Sequence, residues 1–270
     1  MKKLKTLAYP YIFWILIFII VPTFMIFYYA LTKDGEFTLA NFQKIFQGPT
    51  LKTIWASFRI AGITSLVSLL IAYPFALFMT KLNIKYRTMA MMLIMVPMWM
   101  NFLLRSYAWV TILSPNGVLD NFLKIFGIQY KSFLYTEASV ILGMVYNFLP
   151  FMILPIYTAL EKIDYSLIEA SYDLGANEFQ TFWKIIFPMS LPGVISGITM
   201  VFVPVISTFE VADLLGGGMV NMVGNVIERA FTKTGNWGYG SALATFLMVI
   251  ILISMVFDKE SIETGGMNDQ

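Results

Sequence analysis

The sequence predicts an all-α, polytopic membrane protein with about six transmembrane helices. Three observations carry that expectation. Hydrophobic residues fill 58% of the 270 positions and charged residues only 13%, whereas soluble domains run nearer about a quarter charged. Uncharged runs of membrane-spanning length recur along the chain. Proline sits inside most of those runs, a position that membrane helices tolerate.

The first element follows Lys2, Lys3 and Lys5. An uncharged run extends from Leu7 to Thr32, longer than the roughly 7–15 apolar residues of a signal peptide. No small-residue cleavage site follows it, so it reads as a retained helix over Tyr9–Leu31. A span needs roughly 20 apolar residues. Further runs of that kind lie at Ile60–Thr80, Ala138–Leu160 and Ile185–Phe209. Two are less clean: Thr88–Leu104, which meets Arg105 and is expected to continue to about Leu113, and Gly238–Phe257. Together they form a transmembrane domain over residues 1–257. Residues 258–270 read as a polar, disordered tail.

Six spans place both termini on one side. The basic residues divide nine against nine between the two sides, so a plain tally does not orient the chain. Weight on short loops and helix flanks favours the side holding Lys2, Lys3, Lys5 and the tight turn Lys81–Arg87 as the inside. The loops Lys33–Lys52, Ser114–Glu137 and the glycine-rich Val211–Trp237 are then outside. In the second of these, Val118–Phe126 is amphipathic and suits the membrane surface. The inside loop 161–184 is the most charged segment. Pro22, Pro74, Pro97, Pro150, Pro155, Pro188, Pro192 and Pro204 each remove a backbone bond and tend to kink their helix. Such helices suit a protein that moves or encloses a cavity.

Composition also excludes. A net charge of +2 gives no electrostatic case for nucleic acid. Without cysteine or histidine there are no disulfides, no Cys/His metal sites and no Ser–His triad. No catalytic residues are assigned. No G-x-x-x-x-G-K-[ST] sequence is present, and Gly216–Gly218 leads into Met219-Val220 without the lysine that reaches phosphate. The chain is therefore not expected to hydrolyse ATP itself.

The inside loop carries the informative motif, SLIEASYDLGANEFQTFWKIIFPMSLP over Ser166–Pro192. Ser166 stands three residues before Glu169 in a capping-box pattern, and Asn177 three before Gln180. Gly175 lies between, where a chain leaving one helix needs a left-handed residue. The expected structure is helix, glycine turn, helix, running into the fifth span.

This segment resembles the EAA loop of bacterial ABC importer permeases: Glu-Ala-Ala, three residues, Gly, nine residues, Ile-x-Leu-Pro. Here Glu169, Ala170 and Ser171 precede Gly175 and Ala176, and Ile185, Phe187 and Pro188 follow at the family spacing. Ser171 and Phe187 depart mildly from the pattern. Tyr73-Pro74-Phe75-Ala76, Val96-Pro97-Met98-Trp99, Leu149-Pro150-Phe151-Met152, Asp213-Leu214-Leu215-Gly216-Gly217 and Gly224-Asn225-Val226-Ile227 resemble the spermidine/putrescine importer permeases, the B-type subunit more than the C-type. The resemblance implies that the EAA loop docks into a groove on an ATPase. It implies a second permease subunit, two ATP-binding subunits that use ATP and magnesium, an external substrate-binding protein, and no cofactor bound by this chain.

A route for polycations calls for weakly held negative charge and aromatic faces. Glu210 and Asp213, where the fifth span meets the outer loop, fit an ion path or a solvated helix end paired with Arg59 or Arg105. Trp99, Tyr107, Trp109, Tyr146 and Asn147 fit the wall of the path. As alternatives, the aromatic residues fit an interfacial belt and Asn147 a helix–helix tie. Gly193 and Gly197 form a GxxxG for close helix packing. Other cargoes (ferric iron, sulfate, thiamine, a phosphonate), a stand-alone channel and a membrane enzyme stay open as rival readings.

Overall fold

A computed structural model of the chain describes residues 9–33, 35–128 and 132–266. Helix α1 (Pro10–Leu31) ends in a hairpin of β1 (Thr32–Lys33) and β2 (Glu36–Phe37), paired Thr32 to Phe37 and Lys33 to Glu36. Then come α2 (Ala40–Ile45), α3 (Gly48–Thr80), α4 (Ile84–Trp99), α5 (Phe102–Leu113) and α6 (Val118–Ile125). Helix α7 (Glu137–Glu161) opens with a capping box between Thr136 and Ser139. The chain continues through α8 (Tyr165–Asp173), α9 (Glu178–Ser207), α10 (Glu210–Gly216), α11 (Val223–Thr232) and α12 (Trp237–Gly266).

Among the described residues, four helices are long and apolar enough to cross a membrane: α1, α3, α7 and α9. The expected third span is not one straight helix. Helix α4 and the stretch Phe102–Ile125 meet at 92°. Pro97 cannot donate a helical hydrogen bond. Asn101 then caps a new helix, accepting from the amides of Leu103 (2.9 Å) and Leu104 (3.3 Å). The expected sixth span is a shorter apolar helix over Trp237–Ile253. The expected second span is the inner part of α3, which starts at Gly48 and not near Ile60. The backbone of α12 stays helical to Gly266, so the expected disordered tail is helical over 258–266; residues 267–270 lie outside the described residues, as do Lys2, Lys3, Lys5 and Lys131.

Helices α3, α7 and α9 form the centre, with α1 against α12 at one flank. In lipid the apolar surface of a helix gains little from burial, so close van der Waals packing holds the bundle. Small residues make that possible. A Cβ added at Gly193 would stand 2.5 Å from the Ala159 Cβ and 2.6 Å from the Pro155 carbonyl oxygen. At Gly197 it would stand 2.8 Å from the Met152 sulfur, and at Gly143 2.2 Å from Leu215 Cδ1. Met144, Met152, Ile156 and Tyr157 fill the interior face of α7.

The prolines act partly through π turns. One covers Leu16–Ile20 and ends two residues before Pro22; the other covers Phe182–Ile186 and ends two before Pro188. The wider ladder relieves the carbonyls that a proline leaves without a donor.

Candidate functional site

At one end of the bundle, α8 connects α7 to α9 and packs against the root of α9. Its first turn is capped by Asp164, whose carboxylate accepts from the Ser166 amide at 2.9 Å. The cap is therefore Asp164, and the expected box of Ser166 with Glu169 does not form. The helix begins at Tyr165, so Ser166 already lies inside its first turn and cannot serve as the N-cap. That backbone hydrogen bond holds the Asp164 carboxyl below its ordinary pKa. The second expected box is present: Asn177 accepts from the Gln180 amide (2.9 Å), and the Gln180 side chain accepts from the Asn177 amide (3.1 Å).

Between the boxes, Gly175 takes φ +82°. The Ala176 amide donates to the Ser171 carbonyl (3.0 Å) and the Gly175 amide to the Tyr172 carbonyl (2.9 Å). This is a Schellman stop, which satisfies the last carbonyls of α8. Glu169 and Ala170 are exposed on α8, and Pro188 is exposed on α9. Ser171 is buried and meets the Thr181 hydroxyl at 2.8 Å, fixing α8 to the root of α9. Around this turn stand large exposed side chains: Leu174 is 89% exposed and Phe179 72%, with Tyr165 and Trp183 beside them. They form an apolar knob at the tip of a rigid turn.

The knob is tied to three spans. The Tyr73 ring packs edge-on to Phe182 (5.7 Å) and near Phe187 (5.9 Å), and its hydroxyl lies 2.8 Å from that of Ser190. Arg87, in the first turn of α4, donates to Glu161 at 2.7 Å and to the Thr80 carbonyl at 2.9 Å. Its guanidinium also lies over the Tyr157 ring. These contacts join the root of α9 to α3, and the start of α4 to the end of α7.

At the opposite end, Asp213 is not a bare carboxylate. Asn225 donates to it at 2.7 Å and Arg229 at 3.3 Å. Buried Asn225 also donates to the Phe209 carbonyl (3.1 Å) and accepts from the Met222 amide (3.0 Å). The expected partners of the acidic pair are thus corrected. Arg59 pairs with Glu137, and buried Arg105 lies over the Phe102 ring at 5.7 Å without an ion pair among the described residues. Glu210 is half-buried and has no hydrogen-bonding partner among them.

The aromatic candidates separate. Trp99, 86% exposed, and Tyr107 are open on the surface beside the break in the third span. Trp109 and Tyr146 pack against each other at 5.4 Å, joining α5 to α7. Asn147 is buried and donates to the Gly143 carbonyl of its own helix at 2.9 Å, so its amide nitrogen bridges no helices. Helix α10, which carries Glu210 and Asp213, packs against α5 and α7, the helices that carry Tyr107, Trp109, Tyr146 and Asn147, with no hydrogen bond from those four side chains to either acid among the described residues. The structure adds Glu228, which the sequence reading passed over. This carboxylate lines an apolar cavity of about 570 Å³ between α9, α11 and α12. A lone acid among apolar residues in GNVIERAFT was the available signal.

Comparison with known proteins agrees with this architecture. Residues 72–259 match the family described as binding-protein-dependent transport system inner membrane component. The spermidine/putrescine transport system permease protein PotB of Haemophilus influenzae is 40% identical over 262 residues, covering 93% of this chain and 92% of that protein. Its Escherichia coli namesake is 36% identical over 258 residues, covering 92% and 94%. A chain in the crystal structure of a bacterial ABC transporter involved in the import of the acidic polysaccharide alginate superposes with a TM-score of 0.81 at 21% identity, over 96% of this chain and 94% of that one. At that identity the likeness concerns the fold.

Proposed function

This chain belongs to the family of binding-protein-dependent transport system inner membrane components, and from that premise we propose that it is one permease subunit of an ATP-driven importer of polyamines. It is a multi-pass membrane transport component and not an enzyme. The observation that carries the coupling role is the apolar knob at Leu174 and Phe179. It is held by the Gly175 stop and fixed to α9 through Ser171 and Thr181. A rigid projection with exposed apolar side chains suits docking into a groove on a partner. The polyamine cargo is supported by two relatives, at 40% and 36% identity, whose names specify spermidine and putrescine.

In this reading the turn bearing Glu169, Ala170, Ser171, Gly175 and Ala176 seats in a separate ATPase that uses ATP and magnesium. Pro188 marks the root of the helix that follows. Closure of two such ATPases moves α8, and the ties through Tyr73 and Arg87 carry that motion into α3, α7 and α9. The cavity shared with a second permease then alternates between outward and inward access. An external binding protein delivers the cargo, and both termini face the cytoplasm. This chain binds no cofactor of its own.

The test is ATP hydrolysis by the complex co-purified on this chain with its binding protein, comparing spermidine and putrescine with sulfate and thiamine. Stimulation by polyamines alone is expected. Gly175→Pro and Glu169→Lys are expected to abolish ATPase assembly and uptake; normal assembly and uptake in both would sink the coupling role.

A further inference from the structure

The carboxylate of Glu228 is an anion without a cation. Its Oε1 accepts from the Thr232 hydroxyl at 2.7 Å, while Oε2 is buried and has no hydrogen-bond partner. A buried, unsatisfied carboxylate oxygen is costly unless something occupies it. Arg229, next in sequence, does not serve: its guanidinium points to Asn221 (2.7 Å) and Asp213 (3.3 Å). No ion pair to Glu228 forms among the described residues.

The space beside Glu228 is specific in kind. The cavity of about 570 Å³ is walled by Phe209 from the far end of α9, Phe231 from α11, and Ala244, Leu247 and Met248 from α12. Phe231 is held edge-on to Trp237, with ring centroids 5.7 Å apart at 89°. The volume falls within the roughly 300–1,000 Å³ of small-molecule sites. One negative group set in an apolar and aromatic wall matches a protonated amine joined to a methylene chain. The ammonium neutralises the carboxylate, the chain lies on Leu247 and Met248, and a ring face takes a second cation.

We infer that Glu228 and this cavity form an outer-side subsite for an alkyl polyamine, at which cargo leaving the binding protein is first held by one ammonium group. The inference rests on the polyamine reading above and moves the cation-binding role from Asp213, already occupied by Asn225 and Arg229, to Glu228. Because one carboxylate is engaged and the walls are apolar, the grip is weak enough for onward release.

The experiment is equilibrium binding of radiolabelled spermidine to the purified permease–ATPase complex without binding protein, together with uptake in proteoliposomes with it. Wild type, Glu228→Gln, Glu228→Asp and Ala244→Phe are compared. Glu228→Gln is expected to weaken spermidine binding about tenfold or more, the scale of one charge-assisted hydrogen bond. Glu228→Asp should restore most of it. Ala244→Phe, which fills the cavity and keeps the charge, should weaken binding as much as Glu228→Gln. A neutral diol of the same chain length should not compete. If wild type binds spermidine and both Glu228→Gln and Ala244→Phe bind equally well, the subsite is wrong while the polyamine reading stands. If Glu228→Gln loses only binding-protein association, the subsite is likewise wrong. If wild type neither binds nor imports polyamines, the reading beneath it fails as well.

Discussion

The Ser171 hydroxyl lies 2.8 Å from that of Thr181, across the glycine turn that separates α8 from α9. The Ser171 hydroxyl donates to the Ile168 carbonyl at 2.7 Å, which leaves Thr181 as the donor to Ser171 and locks the pair in place. Removing one hydroxyl leaves the other buried without its partner, a cost of about 1–3 kcal/mol. Thr181→Val and Ser171→Ala are each expected to lower transport per ATP hydrolysed severalfold while the ATPase still co-purifies. The double variant should cost little more than either single one, because both remove the same bond. Uptake and phosphate release measured in the same proteoliposomes check this.

Asp164 gives α8 an acid-sensitive start. Its carboxyl is held below the ordinary value by the Ser166 amide. A lowered folded pKa means that the cap contributes fully above the ordinary carboxylate value of about 3.9 and is lost as pH falls through the folded value. From neutral pH down to about pH 5 the start of α8 should therefore not respond to pH. Below about pH 4 its amides should lose protection, measured against the intrinsic exchange rate at the same pH. Asp164→Ala should show that loss already at neutral pH. Hydrogen exchange of the α8 peptides across pH checks the sign.

Much of this site is written locally. Asn177, Gln180 and Gly175 are read correctly because caps and left-handed stops depend on neighbours within six residues. Asp164 and Ser166 both offer a cap acceptor, and the motif alone does not say that the helix starts at Tyr165, which leaves the cap to Asp164. The break at Met100–Asn101 was hidden by an uninterrupted apolar run, although Pro97 and Asn101 both mark it. The π turns before Pro22 and Pro188 have no composition of their own. Three of the five peptides that resemble the family are packing signatures, whereas Trp99 of a fourth stands exposed. Tyr73 stacks on Phe182, Gly217 sits at φ +55° against the Tyr135 ring, and a Cβ at Gly224 would stand 2.4 Å from the Ser207 carbonyl oxygen. What could not be read is long-range: that Asp213 belongs to Arg229 and Asn225, and that Glu228 belongs to no cation.

Gly193 and Gly197 separate by what stands over them. A methyl at Gly193 meets the Pro155 carbonyl oxygen at 2.6 Å and the Ala159 Cβ at 2.5 Å, both rigid parts of α7. At Gly197 the nearest atom is the Met152 sulfur at 2.8 Å, on a side chain that can turn aside. Gly193→Ala is expected to destabilise by about 1–3 kcal/mol, since the helices must part, and Gly197→Ala by less. Thermal unfolding of the purified complex should rank Gly193→Ala below Gly197→Ala and both below wild type. Equal loss at the two positions would mean that Met152 cannot yield.

The Asp213 network ties α10 to α11 and holds the loop beside the proposed polyamine subsite. Asn225 is fully buried with three hydrogen bonds, to the Met222 amide, the Phe209 carbonyl and Asp213. Arg229 is about one-third exposed and reaches Asp213 at 3.3 Å. A partly exposed ion pair contributes about 0–1 kcal/mol, whereas stripping a buried amide of its partners costs about 2 kcal/mol or more. Asn225→Ala should therefore lower the Tm of the complex further than Arg229→Ala. A double-mutant cycle between Asp213→Ala and Asn225→Ala should give a coupling of about 1–3 kcal/mol, from a charge-assisted bond. Asp213→Asn should leave half-saturation by spermidine close to the wild-type value even where stability falls. A tenfold rise in that half-saturation would return Asp213 to the transport path and remove the ground for placing the first cation site at Glu228.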